Sequence, residues 1–198
     1  MIPLTALLVA LACAVASARR VWLAANATAL YPDDVLVALA KVERTAELDR
    51  LRRLAAEEPS ADWERDLLEA MDAPANVRAA LVNEQLTELD YRLQRWSRVP
   101  RVCASIATSF GFMLATLVLR EGLADTRELP IEVGELVVRG LVGDALTVAA
   151  LGMVGTAFCI AAQAEAGRIV KARAASADRL VERLEALAAA PPAAAVAS

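Results

Sequence analysis

One carboxylate interrupts the last long apolar stretch of this chain. Asp144 lies in the run from Leu141 to Met153, where every other residue is apolar, glycine or threonine. An ionised carboxylate inside a membrane helix costs several kcal/mol unless it is solvated, paired or protonated, so its presence predicts a function. The chemistry that such a group supplies is reversible binding of a proton or a cation. Asp144 is therefore the first candidate for an ion pathway.

The composition is that of a membrane protein. Of the 198 residues, 58% are hydrophobic, and they are concentrated in blocks. The sequence has no His, and its three Cys residues lie in apolar segments without the spacing of metal ligands, so we expect no metal site and no cofactor. It shows no phosphate-binding loop, catalytic triad or pair of catalytic carboxylates, so we expect no enzyme. The net charge of -4 comes from helices of mixed sign and predicts no nucleic-acid partner.

Three apolar stretches are long enough to cross a bilayer, which takes about 20 residues. They are Ile2 to Ala18, Val102 to Leu119, and Leu136 to Ala164. A long charged region separates the first stretch from the second, and a short connection separates the second from the third. The sequence therefore predicts an all-α integral membrane protein with three transmembrane helices, the last two long and extending into a cytoplasmic helical domain.

The cations predict the orientation. Eighteen of the 21 Lys and Arg residues lie either between Arg19 and Arg101 or after Gln163. Because positive charge is enriched on the cytoplasmic side of membrane proteins, we expect these regions to be cytoplasmic. The amino terminus and the loop between the second and third spans are then outside, and the carboxyl terminus is cytoplasmic.

The first span has an alternative interpretation. Its end, Val15-Ala-Ser-Ala18, has the small residues of a signal-peptidase site, and a cleaved signal would leave only two spans. However, no Lys or Arg precedes the apolar run, and two arginines follow it, which is the wrong polarity for a standard signal. We therefore expect a retained span.

The charged region between the first two spans predicts helices. Apolar residues recur with the helical period from Asp33 to Ala56, which predicts a first helix. Ser60 is expected to cap a second helix, which Pro74 ends. A third helix is expected to run from Ala75 toward the second span. The predicted order is a first transmembrane helix at 1–23, a cytoplasmic helical domain at 24–100, a second transmembrane helix at 101–120, a short external loop at 121–135, a third transmembrane helix at 136–165, a cytoplasmic helix at 166–189 and a disordered tail at 190–198.

Small residues recur at helical spacing in the second and third spans. Such residues let helix backbones approach closely in lipid, where close packing replaces the hydrophobic driving force. We expect helix packing at Gly111, Ala149, Gly152 and Thr156.

Two segments of these spans resemble the MotA/TolQ/ExbB proton-channel family. Residues 107–112, Ala-Thr-Ser-Phe-Gly-Phe, are similar to its Gly-Thr-Val-x-Gly-Met or Ile pattern and keep Thr108 and Gly111. Residues 144–153 are similar to its Glu-Ala-Leu-x-x-Thr-Ala-Leu-Gly-Leu pattern, with Asp144 in place of the glutamate. The order of spans is similar over nearly the whole chain. The chain departs from the pattern at Ala149, where the family has a threonine.

The resemblance implies a subunit of a proton-motive-force-driven energy-coupling channel in the bacterial inner membrane. A homopentamer would surround a single-span TolR/ExbD/MotB-like partner within the lipid bilayer. Asp144, Thr108 and Thr147 would then belong to the ion pathway. The alternative for Asp144 is a residue at the membrane boundary that touches headgroup water or pairs with Arg139, and the alternative for Thr108 is a hydroxyl bonded to its own helix.

A second class of function fits the same fold. A non-conducting membrane scaffold or assembly subunit would use these helices to hold partners without passing ions. The departures from the family pattern favour it: Ala149 replaces a threonine, and Thr156-Ala-Phe-Cys159 replaces the usual alanine-isoleucine-proline.

Overall fold

The computed structural model describes residues 2–29, 36–37, 44–125 and 131–189. The helices whose bounds are described are α1 (Ile2–Ala25), α2 (Arg44–Glu57), α3 (Asp62–Asp72), α4 (Ala75–Gln94), α5 (Val99–Asp125) and α6 (Ile131–Ala189). No strand occurs in these ranges, so the predicted all-α class is confirmed for them. The predicted tail at 190–198 and residues 126–130 of the predicted external loop lie outside the described residues, and the rest of that loop lies in α5 and α6.

Three helices are long and apolar enough to cross a membrane. They are α1, the stretch Ala75–Ala124 that contains α5, and the part Val137–Ala186 of α6. The prediction of three such helices is thereby confirmed. Large apolar side chains such as Leu11, Phe110 and Val154 are exposed on them, as expected where lipid tails rather than water meet the protein.

The chain forms two compact units. The first consists of Met1–Trp22 and Trp96–Gly167, and the second of Leu23–Arg95 and Arg168–Ser198. Helix α6 contributes residues to both units, because residues 136–165 and 166–189 belong to one uninterrupted helix.

In the first unit, the buried residues of the long helices follow one another at spacings that alternate between three and four. This is the seven-residue pattern of helices that coil around each other in a left-handed sense. On α6 the buried residues are Ala145, Val148, Gly152, Gly155, Cys159 and Ala162; on α1 they are Ala6, Ala10, Cys13, Ser17 and Arg20. Most of these side chains are small, so the backbones can come close together.

The second unit has a conventional apolar core built by α2, α3, α4 and the carboxyl-terminal part of α6. Trp63 of α3 is 1% exposed, and its ring N–H donates to the backbone oxygen of Gln85 at 2.9 Å. Around it lie Leu67, Leu89 and Leu184. Burial of an indole whose only polar group is satisfied stabilises this unit.

One predicted helix cap is wrong. Ser60 was the expected cap of the helix that precedes Pro74, but α3 begins at Asp62, and Ala61 stands at its cap position without a side-chain hydrogen bond. The Ser60 hydroxyl instead donates to the Glu58 carboxylate at 2.7 Å. A nearby charged acceptor competes with the backbone N–H groups for the serine, since short polar side chains bond whichever local group is closest.

Candidate functional site

A close backbone contact in the first unit joins two glycines. A Cβ placed on Gly111 of α5 would lie 2.8 Å from the Cα of Gly152 on α6, so no side chain fits at either position without moving the helices. Near the other end of α5, Gly122 contacts the side chain of Leu141. Residue numbers therefore fall along α5 as they rise along α6, and the two helices are antiparallel.

Helix α1 joins this pair at Gly155. A Cβ on Gly155 would lie 3.1 Å from the Cβ of Ala10 and 3.5 Å from the Cβ of Ala107, so these two alanines lie at the same level. Cys13 and Cys159 meet one turn further along, where the Cys159 thiol donates to the Cys13 carbonyl oxygen at 3.6 Å. Helix α1 is thus parallel to α6 and antiparallel to α5, as three successive crossings of a membrane require.

Thr108 is part of an interhelical hydrogen-bond cluster. Its hydroxyl donates to the Ala104 carbonyl at 2.9 Å and lies 2.6 Å from the hydroxyl of Thr156 on α6. Thr156 also lies 2.9 Å from the Gly152 carbonyl and 3.3 Å from the Ala104 carbonyl. Both hydroxyls are part-buried between α5 and α6, so they bind these two helices together.

Asp144 is exposed on α6, and it makes no hydrogen bond or ion pair with any described residue, Arg139 included. Asp144 lies three residues after Leu141, which contacts Gly122 of α5. Because α5 is antiparallel to α6, the residue of α5 at the level of Asp144 is Leu119, three residues before Gly122 and directly before Arg120. The carboxylate is therefore level with the end of the second apolar stretch. The sequence predicts a position for Asp144 inside the third apolar stretch, with a residue at the membrane boundary as the alternative.

Thr147 is also exposed, and its hydroxyl donates to the Gly143 carbonyl of its own helix at 2.9 Å. Ala149 is half-buried beside the core cluster that contains Ala145 and Val148. The three predicted pathway residues are thus not brought together in one chain: Asp144 and Thr147 lie on the outside of α6, whereas Thr108 faces the α5–α6 contact.

A polar face on α5 escaped the sequence interpretation. Ser105, Ser109 and Thr116 are all exposed, and their spacings of four and seven residues place them on one side of the helix. The buried residues Ala107, Gly111 and Leu114 lie on the opposite side. The polar face of α5, as we call these three residues, therefore points away from the other helices of the first unit. Its spacing was visible in the sequence, although its direction was not.

The three cysteines meet in one buried cluster. Cys13, Cys103 and Cys159 come from the three different spans and are all free thiols. Among the described residues, no group of three or more His, Cys, Asp or Glu side chains has the arrangement of a metal site. The cluster therefore contributes to helix packing.

Comparison of the chain with protein-family models, with curated proteins and with solved structures finds no match. The function must therefore be inferred from the residues and their geometry.

Proposed function

We propose that the chain is a subunit of an oligomeric energy-coupling channel whose copies surround a single-span partner in the bacterial inner membrane. The observation that carries the proposal is the polar face of α5. Three hydroxyl side chains lie on one exposed side of a helix that is otherwise apolar enough to span a membrane. A hydroxyl inside a membrane either bonds its own helix, as Thr116 does with the Met113 carbonyl at 2.7 Å, or faces a protein neighbour or water rather than lipid. A ring of copies would provide that neighbour.

The topology supports this assignment. Helices α1 and α6 run in one direction and α5 in the other, and 18 residues separate Arg101 from Arg120. At about 1.5 Å per residue they span about 27 Å, close to the ~30 Å hydrocarbon core of a bilayer. With most cations on the inner side, the amino terminus is outside, and the second unit, together with the carboxyl terminus, is cytoplasmic.

In this proposal the polar face lines the interior of the ring, where a partner helix stands. The resemblance to the MotA/TolQ/ExbB family supplies the expected homopentamer, the TolR/ExbD/MotB-like partner and proton-motive force as the energy source. Asp144 is then an acidic group at the outer rim, level with Leu119. Thr147 lies less than one turn deeper, and Thr108 supports the lining by holding α5 against α6.

The test is proton flux in proteoliposomes that contain the complex isolated from native membranes with its partner. The triple variant Ser105→Ala/Ser109→Ala/Thr116→Val should lower the flux at least about tenfold, or ~1.4 kcal/mol of barrier. Asp144→Asn should also lower it. Thr5→Val, which removes an exposed hydroxyl of α1 bonded only to the Ile2 carbonyl, should leave it unchanged. Glu121→Gln is the matched control for Asp144→Asn, because Glu121 is also exposed and lies at the end of α5 that is nearest to the level of Asp144.

A proton flux equal to that of the wild type in both the triple variant and Asp144→Asn would contradict the proposed channel function. Native mass spectrometry of the same samples supplies the stoichiometry. Five copies around fewer copies of a smaller protein support the proposal, and a monomer contradicts it.

The second candidate, a non-conducting scaffold of the same fold, is favoured by two observations. The Thr108 and Thr156 hydroxyls bind each other and Ala104 rather than facing a lumen. In addition, exposed Arg101 and Arg120 flank the polar face, and rings of arginine oppose cations. A wild-type complex that assembles with its partner but passes no protons under an imposed gradient supports the scaffold.

A further inference from the structure

Two arginines and two tryptophans of the first unit lie at nearly the same level. Ala10 and Ala107 are level with each other, and α1 and α5 are antiparallel. Nine residues beyond Ala10 is Arg19, and nine residues before Ala107 is Arg98. Trp22 lies three residues beyond Arg19, and Trp96 lies two residues before Arg98. The two tryptophans are therefore also at nearly the same level. We call Arg19, Trp22, Trp96 and Arg98 the collar.

The collar side chains are exposed. Trp22 is 62% exposed and Trp96 is 43% exposed, although both are large and apolar. Arg19 and Arg98 are exposed and form no ion pair with described residues. By contrast, Arg20, the neighbour of Arg19, is buried.

The position of the collar along the helices identifies the chemistry of the ligand. On the outer side of α1, exposed Leu8, Leu11 and Val15 lead to Arg19 and Trp22. An apolar stripe that ends in arginine and tryptophan is typical of a helix that leaves the hydrocarbon core at the headgroup level. There the indole ring lies among glycerol and carbonyl groups, and a guanidinium can bind a phosphate through two N–H donors.

We propose that the collar binds the headgroups of anionic phospholipids. Arg19 and Arg98 each hold a lipid phosphate, while Trp22 and Trp96 fix the depth of the chain at the interface. A zwitterionic headgroup neutralises its own phosphate, so an anionic lipid is preferred. This binding is independent of whether the chain conducts, and its failure leaves the proposed function untouched.

The first experiment uses the intrinsic fluorescence of the full chain in nanodiscs. The protein has three tryptophans, and Trp63 in the core of the second unit is only 1% exposed. Phosphatidylglycerol brominated near its carbonyl end should quench wild-type emission. It should not quench the Trp22→Phe/Trp96→Phe variant, in which only buried Trp63 emits. Equal quenching of that variant, or no quenching of the wild type, overturns the proposal.

The second experiment tests the cations. Native mass spectrometry compares retention of phosphatidylglycerol with that of phosphatidylcholine by wild type and by Arg19→Gln/Arg98→Gln. Each lost arginine should lower the preference for phosphatidylglycerol about fivefold, as expected for a cation near an anionic surface. The control Arg50→Gln/Arg183→Gln removes two exposed arginines of the second unit and should retain the preference.

Three outcomes of the second experiment contradict the proposal. They are an unchanged preference in Arg19→Gln/Arg98→Gln, an equal loss in the control, and displacement of the bound lipid by millimolar inorganic phosphate. The last would show a site for free phosphate in place of a lipid headgroup.

Discussion

At the scale of single residues, the glycines of this chain divide into two groups with opposite expected behaviour. Gly111 and Gly152 leave no room for a Cβ, because the backbone of the facing helix is only 2.8 Å from where it would stand. Gly140 and Gly143 have open space around them. Where there is no contact, a helical glycine only lowers stability through its conformational freedom, by about 1 kcal/mol relative to alanine.

Gly111→Ala and Gly152→Ala should therefore each destabilise the first unit by about 1–3 kcal/mol, because the added methyl group forces two backbones apart. Gly140→Ala should be neutral or stabilising by up to about 1 kcal/mol. Thermal unfolding in mild detergent measures both. Equal effects at Gly140 and Gly152 would show that α5 and α6 do not approach each other at the glycines.

At the scale of helices, the end of α1 is held by a guanidinium from α6. Within the second unit, Arg173 is buried and donates to the carbonyl of Ala25, the last residue of α1, at 2.6 Å. It also donates to the Thr28 hydroxyl at 2.5 Å. The last carbonyls of a helix have no partner within the helix, and a cation there is also favoured by the helix dipole. Arg173 therefore stabilises the chain segment where α1 ends.

Arg173→Met should destabilise the second unit by about 2–3 kcal/mol, since one buried and one part-buried acceptor lose a charged donor. Arg183→Met is the matched control, because Arg183 lies on the same helix and is exposed. It should change stability by less than about 0.5 kcal/mol. Denaturant unfolding followed by Trp63 fluorescence in a Trp22→Phe/Trp96→Phe background reports on this unit. A loss in the control as large as in Arg173→Met would contradict the cap.

At the scale of the whole molecule, the three thiols report whether the spans are assembled. Cys13, Cys103 and Cys159 are far apart in sequence and become buried together only when α1, α5 and α6 pack in the described register. Any rearrangement of one span would expose at least one of them.

In mild detergent, the native chain should react with N-ethylmaleimide roughly 100-fold more slowly than a solvent-exposed thiol, which corresponds to an opening free energy of about 3 kcal/mol. After denaturation in sodium dodecyl sulfate, intact mass should show three adducts. The Ser97→Cys variant places an exposed thiol just before α5, outside the apolar stretches, and should take up one adduct quickly. Native thiols that react as fast as this added one would contradict the three-helix arrangement.

The sequence by itself determined the helical class, three apolar stretches of membrane length and the helical spacing of small residues, because these depend on order within one helix. The partner of Thr108, the level of Asp144 beside Leu119 and the outward direction of Ser105, Ser109 and Thr116 were decided only by tertiary structure. They depend on how far α5, α6 and α1 slide and rotate against each other. That is set where Gly111 meets Gly152 and Gly155 meets Ala10, by steric contacts between residues remote in sequence.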